Sequence, residues 1–150
     1  MQNVECKREN DERAVRAQMA SAASKSEGTA DAFGPEVRRD IVNRTHRFAV
    51  RILKMVRNLL CDTAAQVVTR QVCRSGTSVG SNVEEAQAAQ TKKEFTRKMN
   101  IAFAEARETH YWLRLLKDAE IASPERMGSI IDEADELRRI LAAIVRSSSK

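Results

Sequence analysis

A chain of 150 residues with 26 Lys/Arg against 21 Asp/Glu, a net charge of +5, has the length of one domain, enough for a core that needs neither disulfides nor metal. With 4% aromatic residues, 5 Gly and 2 Pro, it has too little turn chemistry for a β-sandwich or barrel, and the composition points to long helices with an aliphatic core. Cys6, Cys61 and Cys73 are odd in number and include no CxxC pair, so neither a disulfide framework nor a zinc site is expected, and a reducing cytoplasm is the expected location.

No stretch approaches the roughly 18 apolar residues of a membrane span, and no signal-peptide core opens the chain, so no membrane partner is expected. Residues 1–35 hold five Lys/Arg against six Asp/Glu and no sustained apolar face, which reads as a disordered or weakly helical extension. The basic excess therefore belongs to residues 36–150, the expected folded domain.

Gly34-Pro35 closes the extension and starts a first helix, expected from about Glu36 to Leu60. Ile41, Thr45, Phe48, Ile52, Met55 and Leu59 alternate spacings of four and three, the seam of a helix bundle, and Val42, Ala49, Leu53, Val56 and Leu60 widen that stripe. Arg44, Arg47, Arg51 and Lys54 fall within an arc of about 80° on the opposite side. They read as a solvated flank covering core edges or as a phosphate-contacting stripe.

Asp62 or Thr63 is the expected cap of a second helix that continues to about Ala89. Its central stretch, Gln71 to Gln87, is built almost wholly from small residues. Val68, Val72, Ser75, Gly76, Val79, Val83 and Ala86 keep one face toward a partner. Gly76 and Gly80 each cost about 0.5–1 kcal/mol relative to alanine inside a helix, so a very close neighbour is expected there. A Gly/Ser loop dividing two shorter helices is the competing reading.

Thr91-Lys92-Lys93-Glu94 is a capping box opening the third helix. Phe95, Met99, Ala102, Ala106, Thr109, Leu113 and Leu116 form its seam, and the alanines make it the expected close neighbour of the glycine-bearing helix. Ser123-Pro124-Glu125 starts a fourth helix, with Met127, Ile130, Ile131, Ala134, Leu137, Leu141, Ile144 and Val145 as its stripe. Four helices with short connections predict an all-α fold, an antiparallel up-down-up-down four-helix bundle.

Di-iron chemistry in such bundles needs Glu-x-x-His pairs, and the positions three before His46 and His110 are Asn43 and Arg107. SGTSVGSN lacks both the Gly-Lys-Ser/Thr ending and the preceding strand of a phosphate loop. No catalytic residue, cofactor or metal is predicted, and the chain reads as a non-enzyme. Candidate phosphate contacts are Arg44, Arg47, Arg51 and Lys54 together with Lys92, Lys93, Arg97 and Lys98. Tyr111 and Trp112 are too few for a base-stacking platform and read instead as buried aromatics of a subunit interface.

With the helices placed, the middle of the chain resembles the bacterial four-helix-bundle family of 23S rRNA intervening-sequence proteins. Gln71, Val72 and Arg74 stand in its Gln-Leu-Arg-Arg-Ala-like opening. Ser78, Val79, Ser81, Asn82, Val83 and Glu85 stand in its Ser-Ile-Pro-Ala-Asn-Ile-Ala-Glu-Gly-like core, and Lys92, Lys93, Glu94 and Phe95 match Lys-Lys-Glu-Phe. Gly80, Glu84 and Ala86 depart from the pattern, where the family has proline, a small residue and glycine.

The resemblance implies a homo-oligomer, typically a pentameric ring, without known enzyme activity. Similar bundles serve diversity-generating retroelements as accessory proteins that engage a reverse transcriptase and nucleic acid. It marks Asn82, Glu85 and Glu108 as family-like polar positions; for Asn82, at the edge of the second helix's apolar face, and Glu85, further round, a hydrogen-bonding role between helices or subunits is expected. Two functions remain open on this reading: nucleic-acid binding through basic helix faces, or docking of an acidic protein partner.

Overall fold

The computed structural model describes residues 35–59 and 62–149; all of the expected N-terminal extension except Pro35 lies outside the described residues. Four helices follow one another: α1 (Pro35–Val56), α2 (Thr63–Gln87), α3 (Lys92–Asp118) and α4 (Pro124–Ser148). Residue pairs across each boundary run in opposite directions. Gly80 lies against Thr45 and Gly76 against Ile52; Glu85 meets Lys98 and Ser75 meets Thr109; Arg44 meets Glu136 and Arg51 meets Glu133. At the far boundary the N-terminal part of α3 meets the end of α4, where the Thr96 hydroxyl donates to the Ser148 carbonyl at 3.3 Å. The fold is the expected antiparallel four-helix bundle.

The helix starts follow local chemistry. Asp62 caps α2, its carboxylate accepting from the Ala65 amide at 2.8 Å. Thr91 caps α3, accepting from the Glu94 amide at 3.1 Å, while the Glu94 carboxylate turns back to the Gln90 amide at 3.3 Å. That is the capping box with its return bond displaced by one residue. Ser123 occupies the cap position of α4 but its hydroxyl makes no capping bond; Pro124 at the first helical position supplies the start.

α1 and α2 end earlier than expected, while α3 and α4 run past the last residues of their seams. α1 stops at Val56, short of Leu60: Arg57 still donates four back to the Leu53 carbonyl, but the Asn58 and Leu59 backbone amides close onto carbonyls three back at 3.0 and 3.2 Å, and the Asn58 side-chain amide donates to the Lys54 carbonyl at 2.8 Å. Between α3 and α4, Ile121 donates to the Leu116 carbonyl at 3.0 Å and Glu120 to that of Lys117 at 3.0 Å. This Schellman arrangement puts Glu120 at φ 55°, a left-handed position usually given to glycine.

One core runs through the bundle. Phe48 and Ile52 of α1, Val72, Val79 and Val83 of α2, Met99, Leu113 and Leu116 of α3, and Met127, Leu137 and Leu141 of α4 are all buried. Each large side chain contributes about 1.5–3 kcal/mol by leaving water. α2 and α3 are the central pair, with α1 packed on α2 and α4 on α3. α1 and α4 make the lightest contact, so the bundle is least closed along that edge.

α2 is continuous through Gln71 to Gln87, and Ser75, Gly76, Val79, Gly80, Asn82 and Val83 are all buried. The close neighbour at its glycines is α1, not the alanine seam of α3. A β-carbon on Gly76 would stand 3.0 Å from Ile52 Cγ1 and 3.2 Å from its Cγ2. On Gly80 it would meet the Thr45 carbonyl oxygen at 3.4 Å. The two glycines thus differ: a β-carbon at position 76 would fit only if the buried, β-branched Ile52 gave way by a few tenths of an ångström, whereas an alanine at position 80 would sit at ordinary contact distance.

Candidate nucleic-acid interface

The α1 stripe does not stand free. Arg44 pairs with Glu136 at 2.8 Å, and Arg51 binds Glu133 and donates to the Ser129 hydroxyl at 3.0 Å. Both arginines bridge to α4 along the lightly packed edge, where the pairs hold the two helices together. Arg47 donates to the Asn43 carbonyl of its own helix at 3.3 Å. Lys54 is exposed and its ammonium has no ion pair among the described residues. Two of the four expected phosphate contacts are therefore structural bridges.

The second basic set is divided too. Lys98 binds Glu85 across the α2–α3 boundary. Lys92, Lys93 and Arg97 make no ion pair among the described residues, and all three are exposed. They line an open groove of about 890 Å³ between the first half of α3 and the end of α4. Thr96, Asn100, Ile101 and Ala104 continue the α3 wall, and Ser148 and Ser149 form the other. Among the described residues, no carboxylate side chain lines this groove. The α3 N-terminus adds partial positive charge at its cationic end.

The family-like polar positions lie on the outer α2–α3 seam. Glu108 accepts from Arg74 and from the Trp112 indole nitrogen at 3.0 Å, and Arg74 also reaches Glu105 at 3.4 Å. The hydrogen bond from Arg74, helped by that from Trp112, holds the Glu108 carboxyl below the usual carboxylate range. Glu85 is lowered in the same way by the hydrogen bond and charge of Lys98. Glu85 and Glu108 are therefore each tied to a cation across the α2–α3 boundary. Asn82 is buried, and within this chain its amide donates to the Ser78 carbonyl at 2.9 Å and the Ser78 hydroxyl at 3.1 Å, both in α2 itself.

Tyr111 and Trp112 part company. The indole is half-buried and anchored to Glu108, while the Tyr111 ring is 56% exposed on the solvent side of α3. The rings touch edge-on, with centroids 4.9 Å apart and planes at 68°. Trp112 is thus tied to its own chain through Glu108, and Tyr111 is the more exposed of the two.

Several contributors were not read from the sequence. Arg74 belongs to the opening motif, yet its two acidic partners are set by the α2–α3 register, which no local pattern reveals. Glu133, Glu136 and Ser129 look like an ordinary solvated face of α4 until α1 is laid beside it. Thr96, Asn100, Ser148 and Ser149 enter the groove only because α4 ends where α3 begins. Among the described residues, no group of three or more His, Cys, Asp or Glu gathers at metal-binding distance, and no helix is long and apolar enough to cross a membrane.

Among solved structures, the chain is similar to a crystal structure of a protein with unknown function from the S23 ribosomal protein family of Bacteroides thetaiotaomicron. The two share 38% identity over 70% of this chain and 97% of that one, with a TM-score of 0.65. No curated protein matches the chain. The family model of the 23S rRNA-intervening sequence protein matches residues 38–143, extending the resemblance of the central motifs across all four helices. A bundle of this topology, with these motifs on α2 and the start of α3, belongs to the 23S rRNA-intervening sequence protein family.

Proposed function

We propose that this chain is a non-enzymatic, homo-oligomeric bundle that binds RNA or DNA electrostatically through the basic groove at the start of α3. The observation that carries the reading is the state of Lys92, Lys93 and Arg97: exposed and, among the described residues, without ion pairs and lining a groove that has no carboxylate side chain in its walls. Cations already satisfied by acids gain little from a phosphate, whereas these three have no ion pair among the described residues to give up; Arg97 only feels the charge of Glu85 at longer range. Arg47 and Lys54 supply a weaker accessory field on α1.

The non-enzymatic part rests on the chemistry at hand. Cys73 is half-buried and its thiol is pushed up by burial, so it stays protonated at neutral pH. Of the acids with lowered pKa values, Glu85, Glu108 and Asp135 face arginine or lysine partners that hold them as salt bridges, and Glu125 is held by its backbone hydrogen bond and Ser123 at the start of α4. Self-association is supported by the apolar side chains left in solvent on α1 and α2, with Val67 61% and Leu53 46% exposed. A cytoplasmic location and a pentameric state go with this reading.

The test is a titration of labelled RNA and DNA oligonucleotides over a salt series, with oligomer mass measured in the same buffers. The expected result is binding to both, weakening by about 0.7–0.9 log units per phosphate contacted for each tenfold rise in salt. Absence of binding at low salt, with a stoichiometric acidic protein such as a reverse transcriptase recovered instead, would transfer the groove to the adaptor reading.

A further inference from the structure

The groove continues as a stripe along the solvent face of α3. Lys93, Arg97, Asn100, Ala104 and Tyr111 follow one another at spacings of four, three, four and seven. At 100° per residue they lie within an arc of about 60°, roughly opposite the buried seam of Met99, Ala106 and Leu113. From Lys93 to Tyr111 the stripe is about 27 Å long at 1.5 Å per residue. A solvated helix face usually alternates charges of both signs. This one carries cations at one end, an amide and a small residue in the middle, and one exposed aromatic ring at the other.

That ring is held from behind. Arg74 of α2 fixes Glu108, Glu108 fixes the Trp112 indole at 3.0 Å, and Trp112 meets Tyr111 edge-on at 4.9 Å. An edge-to-face contact leaves at least one face of the phenol ring uncovered by the indole, and 56% of Tyr111 is exposed. A flat π-face fixed by a buttressed neighbour, in line with unpaired cations, is the combination that holds single strands: charge tracks the backbone and the ring takes an unstacked base. A duplex engages only the cations, since its bases are already stacked on one another.

We propose that the solvent face of α3 is a track for single-stranded polynucleotide, with Lys93 and Arg97 on the phosphates and Tyr111 stacking a base. The inference rests on the groove reading above and adds to it the strandedness of the ligand and a stacking residue. Tyr111→Ala removes the ring together with its edge contact to Trp112, and Tyr111→Phe keeps both that contact and the stacking face.

The experiment measures affinities of the full chain and both variants for oligouridylate, oligothymidylate and a duplex of matched length, with oligomer mass recorded for each. Tyr111→Ala is expected to weaken single-strand binding about tenfold and leave duplex binding unchanged, with Tyr111→Phe close to wild type. The two single strands show whether the sugar matters. An iodouracil-substituted oligonucleotide is expected to photocrosslink to Tyr111. Single-strand affinity unchanged in Tyr111→Ala, crosslinks confined to other residues, or a lower oligomer mass with equal losses for strand and duplex would overturn the track. The last result identifies Tyr111 as a contact between copies. In each of these cases, continued loss of binding on reversing Lys92, Lys93 and Arg97 keeps the groove reading standing; a wild-type chain that binds no nucleic acid removes both.

Discussion

The hydroxyls of Ser75 and Thr109 meet 2.9 Å apart inside the α2–α3 boundary, and solvent reaches neither residue. Each also stands within bonding distance of its own helix, Ser75 to the Gln71 carbonyl at 2.8 Å and Thr109 to the Glu105 carbonyl at 2.7 Å. Two protons serve three short contacts, so one hydroxyl always backs onto its helix while the other joins the helices. Ser75→Ala leaves Thr109 its carbonyl partner, and its expected cost is about 1 kcal/mol of stability. A double-mutant cycle with Thr109→Val, read by denaturant unfolding, should show coupling of about 0.5–1.5 kcal/mol. Additive single effects would contradict a bond between the helices.

The two glycines of α2 should respond oppositely to alanine. Gly76→Ala gains up to about 1 kcal/mol of helix propensity but drives a β-carbon into buried Ile52, where overpacking costs about 1–3 kcal/mol, so net destabilisation is expected. In an Ile52→Ala background the same substitution should stabilise. Gly80→Ala meets only ordinary contacts and should raise stability by about 0.5–1 kcal/mol. Thermal melts of the four variants measure these signs directly, and a large loss in Gly80→Ala would contradict the spacing between α1 and α2.

Acid should destabilise the bundle in two stages. Burial lowers the pKa of His110 from its ordinary 6.5, with Arg114 and Arg138 adding to the effect and Asp135 opposing it. The unfolded chain then binds that proton first, so stability falls as pH drops below about 6.5. Glu108, Asp135 and Glu85 are held below the ordinary carboxylate range by Arg74, Arg138 and Lys98. Their contribution is present above the unfolded carboxylate pKa and is lost as pH falls through their lowered values. Unfolding free energies across this range check both limbs: His110→Asn should flatten the first, and Glu108→Gln should weaken the second.

Much of the fold was legible because helix chemistry is local. The seams of α1, α3 and α4 follow from spacing alone, and Asp62, Thr91 and Pro124 announce their helices. Glu120 shows the limit: a left-handed residue that is neither Gly nor Asn carries no sequence signal, so the turn after α3 is invisible until its bonds are seen. The site was less legible for a physical reason of another kind. Whether a cation is free depends on which acid the neighbouring helix brings to it, and that register is tertiary. Arg44 and Arg97 look equivalent along the chain; Arg44 is paired with Glu136, whereas Arg97 makes no ion pair among the described residues and only feels the charge of Glu85 at longer range.

That contrast supplies the most direct test of the central claim. Lys92, Lys93 and Arg97 changed together to Glu place acids at the α3 N-terminus, where the helix dipole tolerates them, while Arg44→Gln with Arg51→Gln removes the bridges to α4. Oligonucleotide binding and thermal stability are measured for both at one low salt concentration. The groove variant is predicted to lose at least about tenfold in affinity with its melt preserved. The α1 variant is predicted to melt earlier, by up to about 1 kcal/mol for each exposed bridge, with affinity within about threefold of wild type. Wild-type binding in the groove variant, with the loss falling on the α1 variant, would contradict the account.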